Sequence, residues 1–290
     1  MGKTREIKGR MKAVANIKRI TKTMQLIATA RFQAAQRRAT SAKPYTQKIA
    51  ELVGELASAG GSVDHPLLKE PEPKVGRELL LVITANRGLC GGYNANILRT
   101  AVAHLRENTD KNIQLEVVGK KGVAYFKFVG TEMSKVHTQF GDKPAFQDVH
   151  ALAEQYMQAF EAGEYDAVRV VYMSFETVAR QKPVVIQLLP MEKPKVDEAA
   201  KKKGAVEYDF MPEPQKLLAE LLPVTVKTRL FQAFNEAVVG EQVARMIAMK
   251  AATDAAGKMG KSLTRQFNRA RQTAITTELT EIIGGTAALE

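Results

Sequence analysis

Two long stretches without proline, residues 1–43 and 224–290, most constrain what this 290-residue chain can fold into. Read as helices at about 1.5 Å per residue they span roughly 65 and 100 Å, too long for one globule, so both ends are expected to project. In the first stretch Ile7, Met11, Val14, Ile17, Ile20, Met24, Ile27, Ala30 and Ala34 recur every three or four residues, the period of a left-handed coiled coil. A second seam runs through Leu230, Phe234, Ala237, Ala244, Ile247, Ala251, Ala255, Met259, Leu263, Phe267, Ala270 and Ala274. Its alanines allow a partner helix to come close. Neither helix can bury its stripe alone. The termini are therefore expected to pair with each other, the alternative being two amphipathic helices lying flat on a central domain. Pro223 is a potential kink at the base of the second helix, and Gly257 and Gly260 each weaken its middle by about 1 kcal/mol relative to alanine.

Between the ends the pattern changes. The Pro- and Gly-rich run from Gly61 to Gly76 reads as a connector. Strands are predicted at Leu79–Thr84, Ile113–Gly119, Ala167–Phe175 and Pro183–Pro190, with helices over Ala95–Arg106, GVAYFKFV and Phe146–Ala162. Strand and helix in alternation argue for a small, partly parallel α/β sheet ending in a hairpin. The stretch Glu192–Asp209 is a charged linker.

The net charge of +12 is not spread evenly. Residues 1–48 carry thirteen Lys and Arg against Glu6 alone, which accounts for the whole excess. Such a face asks for an acidic partner. Nucleic acid is one candidate, but Phe32 and Tyr45 are the only stacking groups there and no binding motif is present. The stripe also lacks the Trp and Phe anchors of interfacial helices. No apolar run reaches the roughly 18 residues of a membrane span, no signal peptide is evident, and the single Cys90 fits a reducing compartment.

Catalytic chemistry is hard to find. The glycines of NRGLCGGYN, Gly88, Gly91 and Gly92, do not make GxGxxG, and Lys120 and Lys121 stand where a ribose-binding carboxylate is wanted. His65, His104, His137 and His150 are scattered, and no GxSxG elbow occurs. No cofactor and no metal are expected.

Four strings, ITKTMQLIATARF (Ile20–Phe32), RGLCGGYN (Arg87–Asn94), ARMIAMKAATDAA (Ala244–Ala256) and NRARQTAITTELTEIIGG (Asn268–Gly285), occur in an order and spacing that resemble the γ-subunit family of F-type ATP synthases. The resemblance implies a non-catalytic central rotor. Its paired terminal helices would enter the ring of α and β subunits, with an α/β domain near the ε subunit and the membrane c-ring. It implies β-subunit contacts at Lys18, Arg19, Lys22, Met24, Arg245, Arg271, Gln272, Thr276 and Glu278, and a foot near the c-ring at Tyr208. It also implies a peripheral position on the cytoplasmic face of the bacterial inner membrane, with no direct membrane or nucleic-acid binding.

The expected fold is thus a long antiparallel coiled coil of N- and C-terminal helices, residues 1–60 and 210–290, with a Rossmann-like α/β domain inserted over residues 61–209. The competing class is a coiled-coil nucleic-acid-binding protein, which steeply salt-dependent binding to DNA or RNA would favour. An orphan nucleotide-dependent enzyme comes third.

Overall fold

The apolar run at Arg77–Ile83 (β1) sets the centre of the fold, because all but its first residue are buried and a strand covered on both faces needs layers on each side. The computed structural model supplies both layers; it describes residues 2–59, 65–69, 71–191 and 214–287. The charged linker predicted at Glu192–Asp209, with Tyr208, lies outside these residues.

The elements follow in the order α1 (Gly2–Ala59), a short 3-10 turn (Pro66–Leu68), β1, α2 (Tyr93–Glu107), β2 (Asn112–Val118), α3 (Lys120–Val129), β3 (Lys135–His137), α4 (Phe146–Glu161), β4 (Ala167–Phe175), β5 (Gln181–Leu189) and α5 (Pro214–Ala287). The five strands form one sheet in the order β3-β2-β1-β4-β5. β1 pairs in parallel with β2 and β4, β2 in parallel with β3, and β4 and β5 form the antiparallel hairpin at the edge. The strands and helices predicted between the two terminal helices are all present, with ends moved by at most two residues. The strand β3 is additional: three residues at an edge are too few to leave a pattern.

Contacts divide the chain into two units, Arg31–Ala244 and Met1–Ala30 with Arg245–Glu290. In the first, successive side chains of β1 point to opposite faces and feed separate cores. Leu79, Leu81 and Ile83 join Val168, Val170 and Tyr172 of β4, the inner face of α4, and a stripe of α5 comprising Leu218, Leu222, Val226, Leu230, Phe234 and Ala237. Leu80 and Val82 join Leu115, Val117, Val171 and Met173 beneath α2 and α3. A third cluster packs Phe32, Ala35 and Ala39 of α1 against Val238, Val239 and Val243 of α5. Leu230, Phe234 and Ala237, expected on a helix–helix seam, lie in the first of these clusters, which combines sheet residues with Ile49 and Val53 of α1.

In the second unit α1 and α5 pair with each other. Thr21 Oγ1 lies 2.8 Å from Thr253 Oγ1. Lys18 flanks Gly257 and Val14 flanks Gly260, so numbers rise along α1 as they fall along α5 and the pair is antiparallel. The seam differs from the expected one. Thr21 and Ala28 are buried, while Ile17, Ile20 and Ile27 are 52%, 55% and 49% exposed. On α5, Met249, Thr253 and Ala256 are buried and Ile247 and Met259 are exposed. The cause is a strict seven-residue step: Ile7 and Val14 continue to Thr21 and Ala28, whereas a search for large apolar residues jumps at Ile17 to a second stripe.

Both long helices contain an internal proline, Pro44 in α1 and Pro223 in α5, and both continue through it. Thr40 and Ala219, whose carbonyls lose their usual i+4 donor, are exposed, so water can take the donor's place.

Candidate functional surface

In an α/β sheet of this kind the natural ligand position is the crevice beyond the carboxyl ends of the parallel strands. Here that crevice is filled from within the same unit. Tyr93, the first residue of α2, donates its hydroxyl to the Ala237 carbonyl of α5 at 2.9 Å. The missing side chain of Gly240 lets α5 sit against Met173 and the Tyr93 ring; a Cβ there would lie 3.1 Å from Met173 Cγ. Ser174 Oγ and the Phe175 N–H at the end of β4 both donate to Glu236 of α5.

The start of α3 is closed as well. Its first N–H groups are taken by Asn86 Oδ1 (from Lys120, 3.1 Å), the Ala85 carbonyl (from Lys121, 3.1 Å), Thr84 Oγ1 (from Gly122, 2.9 Å) and the Gly119 carbonyl (from Val123, 3.3 Å). A helix N-terminus binds phosphate through free N–H groups, and here they are spoken for. Gly119 and Gly122 are required by this closeness: a Cβ would fall 2.2 Å from the Thr84 carbonyl oxygen or 2.7 Å from Val117 Cγ1, and Gly119 also has φ +93°. Gly119 and Gly122 thus serve the packing of α3 against the end of β1.

Two buried carboxyls elsewhere in this unit, Glu116 and Glu78, are paired. Glu116 Oε2 accepts from Tyr156 Oη and from His137 Nε2, each at 2.7 Å. Burial pushes the Glu116 carboxyl up, but these two hydrogen bonds and the nearby imidazole outweigh it and hold the group below its ordinary value. Glu78 is likewise held low against its burial by Lys111, at 2.9 Å, and Arg169, at 3.1 Å. Beside His137 a cavity of about 290 Å³ is lined by Lys135, Gln139, Asp148, Leu152 and Gln155. Among the described residues no group of three His, Cys, Asp or Glu side chains is placed to hold a metal.

The exposed charge lies on the paired helices. Residues 1–30 and 245–290 carry fifteen Lys and Arg against five carboxylates, a net of +10. Of the contact residues suggested by the sequence, Lys18, Arg19 and Lys22 are exposed, Met24 is half-buried, and Arg245 is buried. Lys18 lines an open groove of about 720 Å³ with Met11, Val14, Asp254, Lys258 and Lys261. Arg271, Gln272, Thr276 and Glu278 are all exposed, further along α5; Thr276 returns its hydroxyl to the Gln272 carbonyl at 3.0 Å. Gln272 is fifteen positions beyond Gly257, about 22 Å along a helix. The suggested residues therefore form two separate patches.

Sequence reasoning missed the second apolar stripe. Ile17, Ile20 and Ile27, exposed between lysines and arginines, give α1 a mixed greasy and cationic outer face suited to a protein partner. The signal was present as apolar residues at three- and four-residue spacing that do not fit the heptad. Phe32, one of the two possible stacking groups for nucleic acid, is buried against Phe175 with ring centroids 6.2 Å apart.

Comparison with known proteins agrees from end to end. The sequence matches the family model described as ATP synthase over residues 3–289. It is 44% identical over 296 residues to the ATP synthase gamma chain of Rhodopirellula baltica and 41% identical over 290 residues to that of Desulforamulus reducens, covering 100% of both chains in each case. The fold is similar to a chain of the Euglena gracilis mitochondrial ATP synthase solved as OSCP/F1/c-ring in rotational state 3, with TM-score 0.66, 20% identity, and 99% of this chain and 95% of that one covered. It is also similar to a chain of the Tetrahymena thermophila central stalk and c-ring assembly, with TM-score 0.56, 24% identity, and 80% and 99% covered.

Proposed function

We propose, from the premise that this chain belongs to the ATP synthase gamma-chain family, that it is the central rotor of an F-type ATP synthase. In this role it couples proton translocation to ATP synthesis or hydrolysis by rotation. The observation that carries this reading is similarity over the full length of chains that bear the gamma name. A competing role as a coiled-coil nucleic-acid-binding protein has no observation in its favour.

The chain itself does no bond-making. A rotor works by presenting different surfaces to the several copies of a partner that surround it, so that each copy is held in a different state. The coupling energy is the difference between those contacts. The outer face of residues 1–30 and 245–287 suits this, because Lys18, Arg19 and Lys22 can meet carboxylates on β while Met24 and the exposed isoleucines supply apolar contact. Arg271, Gln272, Thr276 and Glu278 form a second patch for β loops. Arg245, being buried, would act through the helix pair unless a partner uncovers it. The α/β unit and Tyr208 would face ε and the c-ring. No described helix is long and apolar enough to cross a membrane, so attachment to the cytoplasmic face of the bacterial inner membrane would come through the complex.

The test is reconstitution with α, β, ε and the membrane sector in vesicles. ATP-driven proton pumping should require this chain. Replacing Met24 with Lys adds like charge to the basic face and should lower protons pumped per ATP hydrolysed. Unchanged hydrolysis and pumping would remove Met24 from the contact, and pumping without the chain would end the rotor reading.

A further inference from the structure

The glycine-rich turn after β1 sits where three segments remote in sequence converge on one carboxylate. Asp142 Oδ2, in the loop between β3 and α4, is bound by Arg31 Nη1 of α1 and, at 3.2 Å, by Arg87 Nη2 of the turn. The Asp142 carbonyl lies 3.4 Å from Arg38 Nη2, also on α1. Asn86, beside Arg87, donates from Nδ2 to the Phe140 carbonyl at 2.7 Å and accepts the Lys120 N–H through Oδ1. The turn, the Phe140–Asp142 segment, the start of α3 and α1 are thereby tied at one point within the unit Arg31–Ala244.

Position gives this cluster its meaning. Arg31 and Arg38 are seven residues apart and lie on one face of α1, flanking the stripe of Phe32, Ala35 and Ala39 that packs on α5. Apolar contacts such as that of Phe32 with Phe175 hold α1 down but have little directional preference, so they resist twisting about the helix axis weakly. Guanidinium–carboxylate contacts are directional. Side-chain exposures of 40% for Arg31, 62% for Arg87 and 29% for Asp142 make the cluster a modest contributor to stability. What it supplies is a fixed angular setting of α1 on the sheet.

We propose that Asp142 is a positioning residue for rotation: a latch that fixes α1 to the carboxyl-end rim of the sheet, so that torque on the α/β unit turns α1 instead of slipping past it. This deepens the rotor reading and rests on it. α1 is the helix that also carries Lys18, Arg19, Lys22 and Met24.

Two readouts test it on the full chain with Asp142→Ala, Asp142→Glu and Arg87→Ala. In the purified chain, hydrogen exchange over residues 31–39 should quicken roughly fivefold in Asp142→Ala, with β1 and β4 unchanged and Asp142→Glu close to the parent. In the reconstituted complex, hydrolysis should stay within about twofold while protons pumped per ATP fall roughly threefold, again with recovery in Asp142→Glu. Unchanged exchange would overturn the latch. Quickened exchange with undiminished pumping per ATP would overturn its role in transmission. If the parent chain itself supports no pumping, the rotor reading fails and the exchange result alone decides whether the latch exists. Arg87→Ala, with its exposed side chain, carries both readouts if Asp142→Ala does not fold.

Discussion

Glu116 shows how a buried charge is made tolerable and what that implies for pH. Its carboxylate is held low by donors from Tyr156 and His137 despite burial. A group whose folded value lies below its ordinary 4.5 binds fewer protons in the folded than in the unfolded state, so it contributes stability above about pH 5. That contribution is lost as the pH falls through 4.5 toward the folded value. Glu116→Gln should therefore flatten the acid limb of urea midpoint against pH below about pH 5; a limb parallel to the parent's would show the carboxylate to be uninvolved. Tyr156→Phe removes a hydrogen bond to a charged group and should cost about 1–2 kcal/mol at pH 7 in the same assay. The glycines separate by the same reasoning. Gly122→Ala drives a Cβ to 2.7 Å from Val117 and should cost about 1–3 kcal/mol. Gly257→Ala and Gly260→Ala meet nothing nearer than 3.8 Å and 4.0 Å, gain helix propensity, and should each stabilise α5 by about 1 kcal/mol in thermal melts.

At the scale of elements, Thr21 and Thr253 make a buried polar contact between the two helices, their hydroxyls 2.8 Å apart, and each hydroxyl also meets a carbonyl of its own helix, that of Lys18 or Met249, so neither is stranded in the seam. Cysteines at 21 and 253 should therefore join under mild oxidation, seen as a mobility shift reversed by thiol, while cysteines at 17 and 247, both on exposed faces, should not; the reverse pattern would restore the seam expected from hydrophobicity. This is also where the sequence was least legible. β1, β4 and α4 could be read closely because each has a single buried pattern and no rival. α1 carries two apolar stripes, and the one that pairs with α5 uses Thr21 and Ala28, which look unremarkable, over Ile17, Ile20 and Ile27, which look like core. The proposed contact surface was therefore half visible: its charge could be counted, while its greasy part reads as core. The contacts of Asp142 with Arg31 and of Glu116 with Tyr156 span 111 and 40 residues and leave no local trace in spacing.

For the whole molecule, the two units rest on different physics. The unit Arg31–Ala244 holds the three apolar clusters and a five-stranded sheet, whereas the buried apolar side chains of the other described unit are few and mostly small, Ala28, Met249 and Ala256. The helix-pair unit also carries +10 of the chain's +12, so α1 and α5 repel each other across their own seam. An assembly that supplies carboxylates would relieve that repulsion; in the isolated chain only salt can. Two separable thermal transitions are therefore expected in calorimetry, the lower belonging to residues 2–30 and 245–287. Raising salt from about 0.02 M to about 0.3 M should shorten the Debye length from roughly 20 Å to roughly 6 Å and lift that lower transition by several degrees. The upper one, which rests on apolar burial in a nearly neutral unit, should stay in place. Hydrogen exchange assigns the transitions, since the amides that gain protection with salt must be those of α1 before Arg31 and α5 after Ala244. A single transition, or a salt shift confined to the sheet, would mean that the charge excess does not govern the stability of the pair, and would weaken the reading of that face as one built for an acidic partner.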